Sequence, residues 1–71
     1  MVNTLKLKAR IMELGLTQKD IAEKLNLAAP TVSQKINNIR AMSLEEAFTL
    51  SKILKIDISE FDKYFFCNGV A

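Results

Sequence analysis

Residues 16–40 read LTQKDIAEKLNLAAPTVSQKINNIR, and this run decides the fold. Thr17 followed three residues later by Asp20 is a capping-box start, in which each side chain bonds the other residue's backbone N–H. The start predicts a helix over Gln18–Leu25 with Ile21, Ala22 and Leu25 inward and Lys19, Asp20, Glu23 and Lys24 outward. Asn26 ends it, because Asn accepts the left-handed turn better than other side chains with a Cβ. Leu27 is an apolar turn residue, so the turn is expected to pack on the core. A second helix starts near Ala29-Pro30, since proline in a first turn lacks an N–H that would be unbonded anyway. Its inner stripe is Val32 and Ile36 with Ala29 beside them, and Asn37-Asn38 ends it.

Upstream, Leu7, Ile11 and Leu14 recur at i, i+4 and i+7 in a helix over about Thr4–Leu14. Leu5, Ala9 and Met12 form a second apolar stripe on it, and Gly15 closes it as the residue that takes positive φ most cheaply. Downstream, Ser43 and Glu46 form another capping box. It opens a helix over about Leu44–Lys55 with Leu44, Ala47, Phe48, Ser51 and Leu54 inward. Asp57-Ile58-Ser59-Glu60 opens a short last helix whose apolar positions are Ile58, Phe61, Tyr64 and Phe65. No segment reads as a strand. The expected fold is all-α: five helices in one domain over residues 1–66, with 67–71 as a tail.

Composition narrows the chemistry. A chain of 71 residues supports one core and buries only ~60% of its unfolded surface. There is no His and one Cys, so a structural zinc site, a His-based triad and an internal disulfide are all excluded. The two glycines, 15 and 69, are too far apart for a phosphate-cradling loop. Glu45-Glu46 reads as acids in a first helical turn, where the helix dipole favours them. No apolar run approaches the ~18 residues of a membrane span and no signal-peptide pattern opens the chain. We therefore expect a cytoplasmic protein away from the membrane that is not an enzyme, with no metal, cofactor or small-molecule ligand. Residues 1–40 carry seven Lys/Arg against three acids, and residues 41–71 carry three against five. The basic first half suggests a polyanionic partner.

The outer face of the third helix sharpens that expectation. Pro30, Thr31, Gln34 and Lys35 point away from its apolar stripe, and Ala28 and Ala29 stand at its start. A helix that enters the major groove of DNA needs a slim outer face with donors, acceptors and methyl groups. Glutamine bonds adenine through two hydrogen bonds, and Ala or Thr touches a thymine methyl. Ala28, Ala29, Pro30, Thr31, Gln34 and Lys35 are the candidate base-reading residues.

The run from Leu16 to Arg40 resembles the helix-turn-helix of Cro and phage-repressor proteins. Its Leu-Thr-Gln-x-x-Ile-Ala-x-x-Leu opening is the most specific part, and SLEEAFTLSKILKID with ISEF resembles the family's fourth and fifth helices. The resemblance covers residues ~5–65, with the motif at about 17–37. It implies a compact, five-helix, lambda-repressor-like domain that binds operator DNA, and a small Cro-like regulator from a phage or prophage. Gln18 matches the position that meets a phosphate at the start of helix two. Gln34 matches the base-reading glutamine, and Asn38 and Arg40 match the loop that touches the opposite backbone. Lys6 and Arg10 are further phosphate candidates on helix one. Asn26 and Asn38 stand where the family usually has glycine, and Ala28 stands where it often has a capping Ser or Thr.

Regulators of this type place two recognition helices on a palindrome ~34 Å apart by dimerising. Phe66 and Tyr64, in an aromatic run at the end of the fold, are the candidates for a weak homodimer contact, with Leu5 and Met12 next. A rival reading is a helix-turn-helix scaffold that serves as an anti-repressor or antitoxin subunit without its own DNA specificity. Apolar residues beyond the needs of one small core, Leu5, Met12, Phe66 and Val70, would favour it.

Overall fold

The computed structural model describes residues 1–65. Among them are five α-helices and no strand: α1 Thr4–Glu13, α2 Gln18–Leu25, α3 Ala29–Ile36, α4 Leu44–Ile53 and α5 Phe61–Tyr64, the last preceded by a 3-10 turn at Ile58–Glu60. Both capping boxes form. The Thr17 hydroxyl accepts from the Asp20 N–H at 3.2 Å, and the Ser43 hydroxyl accepts from the Glu46 N–H at 3.1 Å. Asp57 instead accepts from Ser59, through its N–H at 3.3 Å and through its hydroxyl, so this start makes a 3-10 turn before α5.

Four helices end in the same closed turn. An N–H two or three residues past the helix returns to a carbonyl five residues back: Leu16 to Ile11, Leu27 to Ala22, Ile39 to Gln34 and Ile56 to Ser51. The residue before each is left-handed: Gly15 at φ 70°, Asn26 at 59°, Asn38 at 62° and Lys55 at 54°. Such a turn normally lays its following apolar side chain back on the helix. Leu16, Leu27 and Ile56 do pack against the core. Ile39 does not, and is 73% exposed.

The core joins Leu7 and Ile11 of α1, Ile21 and Ala22 of α2, Val32 and Ile36 of α3, and Ala47 and Leu50 of α4. Phe65 closes its C-terminal end with no exposed surface, and Val2 and Met42 enter it from irregular segments. α2 packs mainly on α3 and next on α4, the arrangement that leaves the far side of α3 outward.

Four expectations need correction. Leu44 and Phe48 were expected inward, yet Leu44 is 55% and Phe48 41% exposed, while Leu50 is buried. The buried stripe of α4 is thus turned away from Leu44 and Phe48 toward Leu50, and the core is met by Ala47, Leu50, Ser51 and Leu54. α4 also ends at Ile53 rather than Lys55, since Lys55 takes the left-handed turn. Ile58 is exposed rather than inward, and only the Phe61 end of that segment meets the core. Ala29 is exposed too, so it does not join the Val32–Ile36 stripe.

Candidate nucleic-acid interface

α3 is short, and its two faces are chemically distinct. At ~100° per residue, Gln34 lies opposite the midpoint of buried Val32 and Ile36. Thr31 flanks it and is half-exposed, while Ala28, Ala29 and Pro30 at the start of the helix are exposed. Ala28 caps the helix without a side-chain bond. The first-turn N–H groups of α3 thus have no side-chain acceptor, and small residues cover the approach to them. The outer face offers one amide, one hydroxyl, two methyl groups and a proline ring.

Lys35 sits differently. Its ammonium donates to Glu46 Oε1 at 2.7 Å and to the Ala41 carbonyl at 3.3 Å. The same Glu46 oxygen accepts the Ser43 N–H at 2.9 Å. One carboxylate therefore caps α4 and ties it to the end of α3. The bond from Lys35 and then the Ser43 N–H hold the Glu46 carboxyl below the ordinary glutamate range. Lys35 is engaged in holding the α3–α4 turn, and its side chain is only 15% exposed.

Arg10 and Asn38, expected at phosphates, are also engaged within the fold. Arg10 donates from Nε to the Leu54 carbonyl at 2.9 Å and from a terminal nitrogen to the Lys55 carbonyl at 3.2 Å. It caps the end of α4, where a cation also meets the negative end of the helix dipole. Asn38 donates to the Val2 carbonyl and the Thr4 hydroxyl, which uses both amide hydrogens. Lys6 lies over the Tyr64 ring, 5.1 Å from its centroid. Tyr64 itself is half-buried, and its carbonyl accepts the Asn3 N–H at 2.9 Å. Phe66 lies outside the described residues.

Arg40 and Gln18 remain open to a partner. Arg40 is exposed on the α3–α4 turn, and its N–H and that of Ile39 both donate to the Gln34 carbonyl. The backbones of the candidate base reader and the candidate phosphate ligand are thus bonded directly. Gln18 is half-exposed in the first turn of α2, lining a cleft of about 380 Å³ with Thr17, Lys8, Ile11, Met12 and Leu16. Thr17 gives its backbone N–H, and then its hydroxyl, to Asp20, which holds the Asp20 carboxyl below the usual aspartate range. Lys8 is the exposed cation of α1 that stands beside this helix start, and sequence reasoning missed it. No local signal places it there: Lys8 lies three residues before Ile11, and only the fold makes the Ile11 carbonyl accept the Leu16 N–H that closes the turn into α2.

The helix-turn-helix family model matches residues 7–61, from the second turn of α1 into α5. The chain belongs to the helix-turn-helix family. Its members of the Cro and C1 type are DNA-binding regulators, so this helix-turn-helix chain is a DNA-binding regulator by family. The match spans α2, the turn and α3 whole, including Gln18, Gln34 and Arg40. No solved structure matches the chain. Among the described residues no helix is long and apolar enough to cross a membrane.

Proposed function

We propose that this chain is a sequence-specific binder of double-stranded DNA, a Cro-like regulator of phage or prophage type that acts by occupying an operator. The observation that carries the reading is the outer face of α3: Gln34 opposite the buried stripe, with Thr31 beside it and only small residues at the exposed helix start. Gln34 and Thr31 read base edges, and the methyl groups of Ala28 and Ala29 meet thymine. Gln18 and Lys8 at the start of α2 take one phosphate strand, and Arg40 takes the other. α2 adds the partial positive charge of its N-terminus, which favours an anion.

Two copies binding one palindrome would supply the specificity that one short helix lacks. We propose a weak homodimer, in the range of ~1 μM or weaker by the scale of small interfaces, with the C-terminal run around Phe66 as its contact. Cutting the chain after Phe65 keeps the ring that fills the core and removes Phe66. The shortened chain binds half-sites and loses cooperative binding to a palindrome. Retained cooperativity would move the contact elsewhere, first to the exposed Leu5 and Met12 of α1.

The salt dependence of binding tests the reading. Affinity for duplex DNA, followed by fluorescence anisotropy, falls steeply as salt rises because counterions return to the phosphates. Arg40→Ala weakens binding to all sequences and flattens the slope by ~1. A slope unchanged by that substitution removes Arg40 from the phosphate contacts, and binding without salt dependence contradicts the reading.

A further inference from the structure

The left-handed turn after α3 needs only a residue that accepts a φ of 62°, and glycine would serve. The side chain at this position does something the turn does not require. Asn38 Oδ1 accepts the Val2 N–H at 2.8 Å, and Asn38 Nδ2 donates to the Val2 carbonyl at 2.9 Å. Both backbone groups of one residue ahead of α1 are thus paired with one amide. The second Nδ2 hydrogen reaches the Thr4 hydroxyl at 3.3 Å, and that hydroxyl donates to the Ile36 carbonyl at 2.7 Å. Residues 2–4 form a strap tied to the last turn of α3.

The strap displaces what usually packs at such a helix end. Val2 is 2% exposed, while Ile39, the apolar residue that follows the turn, points to solvent. Val2, Asn38 and Arg40 line one cleft of about 300 Å³ with Met1, Ala41 and Met42. The turn carrying Arg40 is therefore held from three sides: by the Gln34 carbonyl, by the Lys35–Ala41 bond, and by the strap through Asn38.

We propose that Asn38 is a positioning residue for DNA binding: its amide clamps the strap of residues 2–4 and so holds Arg40 where it meets a phosphate. This rests on the DNA-binding reading above. An ordered turn loses less freedom when its side chain docks, so clamping it raises affinity without adding a contact. Asn38 itself makes no phosphate contact, because both of its amide hydrogens are engaged.

A double-mutant cycle on one duplex tests this, using wild type, Asn38→Gly, Arg40→Ala and the double variant across a salt series. Asn38→Gly keeps the left-handed turn and removes only the amide. The expected result is a weakening of ~3–10-fold for Asn38→Gly, in the lower part of the range of typical couplings, with part of the ~1-unit slope loss of Arg40→Ala. The double variant binds no worse than Arg40→Ala alone, since the clamp acts only through Arg40. In the free protein, backbone order parameters at residues 39–42 fall from the rigid range near ~0.85 toward ~0.6. Thr4→Val, which keeps volume and removes the bridging hydroxyl, lowers them as well, and stands in if Asn38→Gly lowers the melting temperature strongly. Additive losses in the cycle, or order parameters unchanged in both variants, overturn the clamp and leave the DNA-binding reading standing. A wild-type chain with no salt-dependent binding overturns both.

Discussion

Phe65→Ala removes ~3–5 kcal/mol of folding stability, as expected for a large aromatic deleted from a closed core. The ring has no exposed surface, stands 4.9 Å from Phe61 and 6.5 Å from Tyr64, and follows directly on a helix of one turn. Phe61 in turn stacks on Phe48 of α4 at 4.8 Å. Losing Phe65 therefore opens the end of the core and loosens α5 from α1 and α4 together. A domain of this size has roughly 4–10 kcal/mol in all, so the variant is partly unfolded at 37 °C. Urea denaturation followed by circular dichroism measures the loss. A chain ending at Phe65 keeps nearly full stability, and one ending at Tyr64 behaves like Phe65→Ala. A loss below ~1 kcal/mol would place the ring outside the cooperative core.

Gln34→Ala has the largest expected effect on binding. It costs ~1–3 kcal/mol at the preferred duplex, the worth of a two-bond contact to one base, and relaxes the preference at one base pair. Stability changes little, because Gln34 lies on the face of α3 opposite Val32 and Ile36 and its backbone carbonyl is kept. Titrations against the preferred duplex, its single-base variants and an unrelated duplex separate the cases. Equal losses on all of them would make Gln34 a backbone contact and move base reading to Thr31 and the alanine methyl groups.

Local signals made much of this molecule legible. Thr17 with Asp20, Ser43 with Glu46, Gly15, Asn26 and Asn38 each mark a helix boundary by their own chemistry; α2 follows from them to the residue and α3 to within about one residue. What stayed hidden was decided by contacts distant in sequence. Leu44, Phe48 and Leu50 are all apolar, and of the three only Leu50 is buried, on a helix that packs on α2. Lys55 takes a left-handed turn that its side chain does not favour, and Arg10, 45 positions away, bonds its carbonyl. Val2 and Met42 are buried without any periodic pattern to announce them.

The candidate site divides the same way. Periodicity places Gln34 and Thr31 outward. It cannot tell which cations are open to a partner, because side-chain pairing crosses the sequence. Lys35 meets Glu46 across 11 positions, Arg10 meets Leu54 across 44 and Asn38 meets Val2 across 36. These three carry structural bonds, and the candidates left open include Gln18, Thr31, Gln34, Arg40 and the unforeseen Lys8.

Selection of bound duplexes from a random pool tests sequence-specific binding without assuming a target. The expected result is enrichment of one short sequence, present as two inverted half-sites whose centres lie ~10 base pairs apart, one turn of the double helix. With Gln34→Ala, the same selection keeps the spacing and loses the preference at one position of each half-site. A pool no different from its input after repeated rounds, under low salt and with the folded wild-type chain, would rule out sequence-specific DNA binding.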